Sequence, residues 1–266
     1  MLRIEVVTLF PDLLRQALGF GVLGRGIERG LLAVGTEDPR GHASGPHRSV
    51  DDRPYGGGPG MVGTPAPWSA AIDAAAARLA SASGVPVGAG DQSLPRVYLS
   101  AQGVRFDQAL ARQFAAGAGF VLVAGRYEGL DERVLESRID LEVSLGDFVL
   151  SGGEFAALAV IDAVARLVPG VLGDERSGEE ESFSQGLLDW PHYTRPVEWE
   201  GRTVPEVLQG GHHAQILRWR RKQALGRTWL RRPDLIAALE ERGGLDAESR
   251  SLLNEYLAER EVEKNG

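Results

Sequence analysis

No cysteine occurs among the 266 residues. That excludes disulfides, thiolate metal sites and a cysteine nucleophile, and it fits a reducing compartment. Only two methionines are present, and of the 29 basic residues only Lys222 and Lys264 are lysines. No run approaches the ~20 apolar residues of a membrane span. The start, MLRIEVVTLFPDLL, lacks the basic region and long apolar stretch of a secretory signal. The chain is therefore expected to be soluble and cytoplasmic. No GxxxxGK[ST] is present, so a P-loop is not expected. A GxGxxG does occur at Gly19, Gly21 and Gly24. A dinucleotide fingerprint needs a strand immediately before it, whereas Pro11–Leu18 reads as a helix with proline near its start. His212 and His213 face different ways and have no third ligand at metal spacing, so no metal site is expected.

What the chain has is an uneven charge and unusual glycine runs. Net charge is −8, which argues mildly against a simple nucleic-acid binder. The average hides DERSGEEE at Asp174–Glu181 and the acid-free RWRRKQALGRTWLRR at Arg218–Arg232. Local basic density is what a polyanion meets, because phosphate charge is felt within a Debye length, ~8 Å at physiological salt.

Leu2–Leu9 alternates and is β-branched, which predicts a buried strand. Gly35–Gly63 predicts a long functional loop, Pro67–Ser83 a helix and Gly84–Pro95 a linker. A repeating unit follows: strand Arg96–Ser100, helix Phe106–Ala116, strand Gly119–Ala124, helix Leu130–Ser137, strand Ile139–Ser144 and helix Phe155–Val168. Strands alternating with helices predict an α/β fold with a parallel sheet covered on both faces. Ligands in such folds sit at the carboxyl ends of strands. Three loops fall there: SAQG after Leu99, AGRYEG from Ala124, and LGDFVLSGG after Ser144. The last puts Gly146, Gly152 and Gly153 around an apolar patch. Mid-element glycine costs roughly 0.5–1 kcal/mol relative to alanine, so three together point to backbone pressed against a ligand.

Pro169–Leu188 is polar, acidic and aperiodic, which predicts a flexible linker. Beyond it, helices are expected at Val204–Leu208, Gly211–Gly226, Pro233–Arg242 and Asp246–Glu261, a second, all-helical domain. Trp219 and Trp229 lie inside the basic segment. They either anchor its helix to a core or stack on unpaired bases beside phosphate-binding arginines. DDRPYGGGPGM, Asp51–Met61, is bare enough to press against a ligand, another subunit or a nucleobase, or to be a purely structural loop.

Several segments, in order, resemble the bacterial tRNA (guanine-N1)-methyltransferases of the trefoil-knotted (SPOUT) class, which use S-adenosylmethionine. They are VDDRPYGGGPGM (50–61), LSAQG (99–103), AGRYEGLDERV (124–134), SLGDFVLSGGE (144–154), IDAVARLVPGVLG (161–173), LLDWPHYTRP (187–196) and RWRRKQALGRTWLRRP (218–233). The likeness runs from Met1 to about Pro233. The Ser83–Pro95 insert and the C-terminal tail are not diagnostic.

The resemblance implies a deep trefoil knot, a rare exception to un-knotted topology. It implies a homodimer whose active sites draw on both subunits. It implies three segments: a knotted donor-binding domain over 1–168, a linker over 169–188 and a helical tRNA-binding domain over 189–266. Donor binding is implied for Tyr98, Leu99, Ser100, Gly125, Tyr127, Glu128, Ser144, Leu145, Gly146, Asp147, Phe148, Val149, Leu150, Gly152 and Gly153. The adenine would take hydrogen bonds from main-chain groups of Leu145, Gly146, Phe148 and Leu150. Contacts to the tRNA anticodon arm are implied for Asp52, Arg53, Tyr55, His192, Arg218, Arg221 and Arg227. The implied product is N1-methylated guanine immediately 3′ of the anticodon, tRNA position 37. A role for magnesium stays open.

Guanine N1 carries a proton at neutral pH, so methylation there needs a base. Its removal drives negative charge onto O6, so a cation belongs beside O6. In the family's pattern, Arg166 matches the catalytic arginine. The family's base is an aspartate in an E-D-S-F pattern, which reads Glu180-Glu181-Ser182-Phe183 here. Glu181 takes the aspartate's place with similar basicity and one more methylene. Asp189 is the alternative base, or a contact to the guanine or its neighbour. Two other readings stay open: a knotted methyltransferase of another RNA, and a non-catalytic RNA-binding protein.

Overall fold

Ile4 and Val6 of the first strand turn to one side of a sheet and Val7 to the other. Phe120 and Leu122 oppose Val121 and Val123 in the same way. That period of two, apolar on both sides, is the mark of a strand buried on both faces. A computed structural model describes residues 1–88, 90, 93–173 and 181–265. The chain divides into two compact units, Met1–Glu175 and Arg176–Gly266.

The first unit is α/β. It runs β1 (Leu2–Val7), α1 (Pro11–Leu18), α2 (Gly21–Glu28), β2 (Leu32–Glu37), a 3-10 turn (Pro39–His42), β3 (Asp51–Asp52), β4 (Val62–Gly63), α3 (Pro65–Ser83), β5 (Arg96–Arg105), α4 (Gln108–Ala116), β6 (Gly119–Val123), α5 (Glu132–Arg138), β7 (Leu141–Ser144) and α6 (Glu154–Ala165). Five strands form one sheet in the order β2-β1-β6-β5-β7, every pair parallel. Helices α1, α4 and α6 bury Leu14, Phe114, Ile161 and their neighbours on one face. On the other, α3 and α5 bury Trp68, Ile72 and Val134. The parallel sheet with two helical layers is thus as expected.

The GxGxxG glycines span the α1–α2 junction with no strand before them, as expected, so they are not a dinucleotide fingerprint. Two details differ. The region 35–63 opens inside a strand and a 3-10 turn before it becomes a loop. Strand β5 does not end at Ser100. Val143 of β7 pairs with both Leu99 and Val104, so Ser100–Gly103 bulges out and the strand resumes. The Ser100 hydroxyl accepts the Gln102 N–H at 3.1 Å, a local turn that competes with ladder pairing.

The second unit is not all-helical as expected: a hairpin of two-residue strands, β8 (Glu198–Trp199) with β9 (Arg202–Thr203), precedes α7 (Glu206–Gln209), α8 (His213–Arg231), α9 (Pro233–Glu241) and α10 (Ala247–Asn265). Its core joins Leu187, Leu225, Ile236, Leu239, Leu245 and Leu252. Helix α8 runs five residues past Gly226, where a stop was expected. Glycine is needed there for close approach, since a Cβ would collide with the Tyr256 ring of α10. Of the span 169–188, Val171 packs in the first unit's core and Leu187 in the second's. The acidic run from Asp174 to Glu180, expected to be flexible, lies outside the described residues.

Candidate active site

Parallel strands deliver their carboxyl ends to one edge, where the segments after β6 and β7 meet. The Gly153 N–H donates to the Gly125 carbonyl at 2.8 Å. A Cβ on Gly153 would stand 2.7 Å from the Ala124 Cα, so only glycine permits this approach. Upstream, Ser144 Oγ accepts the Gly146 N–H at 3.2 Å and Phe148 N–H donates to the Gly146 carbonyl at 2.9 Å. These bonds fold the loop into a wall.

Together with the β5 bulge, the two loops enclose a cleft of about 320 Å³. Every residue expected to hold the donor lines it except Asp147, whose residue is exposed to solvent. The cleft also takes in Gln102, Arg126 and Glu132. All three stand inside segments already singled out, LSAQG and AGRYEGLDERV, and position within those segments was the available signal. Gly152 and Gly153 present bare backbone, and Phe148, Val149 and Leu150 present apolar surface. The wall therefore suits a flat heterocycle recognised by main-chain groups.

Tyr98 is buried in the wall. Burial, with the Glu142 and Glu132 carboxylates adding to it and a backbone hydrogen bond at Leu130 opposing, pushes its phenol up to about 12. It stays a neutral hydroxyl at physiological pH. The Tyr127 phenol is raised too, first by burial and then by the Asp51 charge.

The Asp51–Met61 loop serves this cleft from outside. Its base is fastened to the loop after β6: Glu128 N–H donates to Met61 O at 2.9 Å, Gly63 N–H to Gly129 O at 2.9 Å, and Asp131 N–H to Gly63 O at 3.0 Å. Its tip is open, with Asp52 and Arg53 exposed and Tyr55 wholly so.

Arg166 is not at this cleft. Helix α6 starts beside the glycine wall, and Arg166 caps its far end. The twelve steps from Glu154 to Arg166 advance about 18 Å at 1.5 Å each. Within one chain, α6 thus sets Arg166 well away from the glycine loop.

Glu181 and Asp189 are brought together in the second unit. Both line a pocket of about 160 Å³ with Trp190, Leu217, Arg220 and Arg221. Ser182 Oγ accepts the Asp189 N–H at 3.0 Å. One Asp189 oxygen accepts the Trp190 N–H at 2.7 Å, and the other meets His192 Nε2 at 2.8 Å. Arg220 lies over the Trp190 ring, 4.8 Å from its centroid.

The basic helix is less open than its sequence suggests. Arg218 bonds Glu255 at 2.5 Å, which raises its pKa. Arg221 reaches Gln185 at 3.0 Å and Ser249 at 3.3 Å. Lys222 holds Glu259. Arg227 keeps a buried Nε without a hydrogen-bond partner. Trp219 is half-buried and its ring lies 6.4 Å from that of Tyr193. Trp229 is 43% exposed, so it is no core anchor. Among the described residues no group of three His, Asp or Glu is placed to hold a metal ion.

A family model described as tRNA (Guanine-1)-methyltransferase TrmD matches residues 2–238. Similar chains include three named tRNA (guanine-N(1)-)-methyltransferase. That of Methylococcus capsulatus is 51% identical over 264 residues, covering 99% of both chains. That of Halorhodospira halophila is 51% identical over 261 residues, 98% of this chain and 93% of the other. That of Chromohalobacter salexigens is 52% identical over 262 residues, 98% and 95% respectively.

Proposed function

This chain belongs to the tRNA (guanine-1)-methyltransferase family, and from that premise we propose that it transfers a methyl group from S-adenosylmethionine to N1 of guanine in tRNA, at the base immediately 3′ of the anticodon. The observation that carries the reading is the cleft at the sheet edge. Its residues fit the donor: bare backbone and neutral donors for an adenine, apolar surface at Phe148 and Leu150, and a volume that takes a nucleoside. When bound, the donor supplies an electrophilic methyl on sulfur. Tyr98, Leu145, Gly146, Phe148 and Leu150 would hold it.

The rest is done by side chains. Glu181 removes the N1 proton, and Arg166 holds the negative charge that moves to O6. Asp189 and His192 steady the segment that bears Glu181, through the Ser182–Asp189 bond. Arg218, Arg221 and Arg227, with Tyr55 and Arg53 of the open loop, hold the anticodon arm. Magnesium has no assigned ligand in this scheme.

We take the active form to be a homodimer. Phe155 at 52%, Phe148 and Val149 leave apolar side chains exposed beside and along α6, and clustered apolar surface marks an interaction site. A partner also answers the distance of Arg166 from its own cleft. The three loops at the sheet edge are the segments that form the trefoil knot. The domain over 1–168 binds the donor, the linker over 169–188 bears Glu181, and 189–266 grips tRNA. No helix among the described residues is long and apolar enough to cross a membrane, and the activity belongs with tRNA in the cytoplasm.

The test is labelled methyl transfer to unmodified tRNA transcripts carrying guanine or adenine at the target position. Methylation of the guanine transcript alone, mapped to N1, is the expected result. Transfer to both transcripts, or to neither, overturns the reading.

A further inference from the structure

Glu154 is a carboxylate with 0% exposure that no step of the proposed transfer uses. Acidic side chains are almost never fully buried unless paired, because burial penalises their charge. Here the pairing is specific. Thr8 Oγ donates to one carboxylate oxygen at 3.0 Å, and Arg126 Nε donates to the other at 2.9 Å. Thr8 follows β1, Arg126 lies in the loop after β6, and Glu154 opens α6 directly after the glycine wall. One carboxylate therefore fastens three segments that arrive at the same sheet edge from distant parts of the chain. Its place in the first turn of α6 also suits a negative charge.

Its partners are themselves committed. Thr8 Oγ accepts the Phe10 N–H at 3.0 Å, and the Phe10 ring lies 4.3 Å from the Arg126 guanidinium carbon. Arg126 lines the cleft, as do Gly152 and Gly153, whereas Glu154 and Thr8 do not. A Cβ on Gly152 would run into the side chains of both Arg126 and Glu154, so the wall residue is in close packing with the pair.

We propose that Glu154 is a positioning residue for the donor cleft. By holding Arg126 it keeps the loop after β6 against Gly152 and Gly153, and so sets the spacing of the two walls between which the nucleoside of the donor lies. It touches no reacting atom. The proposal rests on the donor-cleft reading above.

Glu154→Gln keeps the shape and can still offer one acceptor and one donor, so it removes chiefly the charge. S-adenosylhomocysteine binding by calorimetry is expected to weaken about tenfold, the size of one charge-assisted hydrogen bond. The KM for the donor should rise by a like factor, with kcat at saturating donor and the Kd for tRNA within about twofold. A Kd for S-adenosylhomocysteine within twofold of the unaltered protein overturns the proposal. So does a fall in kcat with donor affinity unchanged, which marks a merely structural role. Should the variant fail to fold, Thr8→Val removes one leg of the tie alone. It is expected to weaken S-adenosylhomocysteine about threefold, and unchanged binding overturns the proposal equally. Absence of binding by the unaltered protein is a separate result: it sinks the donor-cleft reading itself.

Discussion

Lys222 of α8 holds both carboxylate oxygens of Glu259 of α10, at 2.6 and 2.7 Å. One turn away, Arg218 donates to a single carboxylate oxygen of Glu255. Acids of the last helix thus occupy Arg218, which the RNA reading assigns to the anticodon arm, and its neighbour Lys222. Neutralising both, Glu255→Gln with Glu259→Gln, is expected to tighten tRNA binding at low salt. It should also steepen the log–log salt dependence by about 0.9 for each phosphate newly engaged. Filter binding between low and moderate salt checks this. An unchanged slope means that these cations face away from the RNA.

Glu181 stands where the family's aspartate would stand, in a pocket shared with Asp189. Glu181→Gln is expected to cut single-turnover methyl transfer about 10²–10⁴-fold, the usual worth of a general base, and to leave S-adenosylhomocysteine affinity intact. Glu181→Asp should keep turnover, since the two acids are similar bases. Near-normal transfer by the glutamine variant moves the base to Asp189.

The two-faced sheet could be read from residues such as Phe120–Val123, because an unbroken apolar run between helices is a local property. The donor segments could be read as well, since each is contiguous. What escaped reading depends on contacts between distant segments. The Ser100–Gly103 bulge exists because Val143 pairs on both sides of it. Gly226 reads as a helix stop until the Tyr256 ring is set against it. The cations of α8 look free until acids 37 residues further on reach them. The β3–β4 and β8–β9 ladders have two residues per strand, too short for any periodic signal.

Arg78 of α3 ties two strands through their acids, bonding Glu5 at 2.9 and 2.7 Å and Glu37 at 2.7 Å. Burial pushes Glu37 up, but hydrogen bonds from Arg78 and His42 outweigh it, and its pKa falls below the ordinary 4.5. A carboxylate lowered in the folded state adds stability above its unfolded value, and that stability is lost as pH falls through the folded one. The melting temperature of the unaltered protein should therefore drop on acidification below about pH 4.5. Arg78→Met leaves Glu5 buried without its donor, at a cost of about 1–3 kcal/mol near neutrality. The gap between the two proteins should narrow in acid, as Glu37 becomes neutral and its bond to Arg78 loses its charge. A gap that is constant with pH, followed by circular dichroism melts, shows that packing and not charge was lost.

Arg166 and the glycine wall lie at opposite ends of α6, about 18 Å apart along its axis. An extended arginine side chain spans only part of that length, so in the proposed dimer the arginine at one cleft is supplied by the second copy. Arg166→Ala is expected to lower transfer about 10²–10³-fold, as for loss of one oxyanion partner, with donor affinity unchanged. Ser100→Phe sets a large ring on the cleft wall and should abolish donor binding while leaving Arg166 in place. Each variant alone is then inactive for a different reason. In a mixed dimer, one site joins the intact cleft of the first chain to the intact Arg166 of the second, and the other site carries both defects. Co-expression of the two should restore about a quarter of normal activity, since random pairing makes half the dimers mixed and each has one sound site. Were cleft and arginine to act within one chain, every site would be defective and mixing would restore nothing.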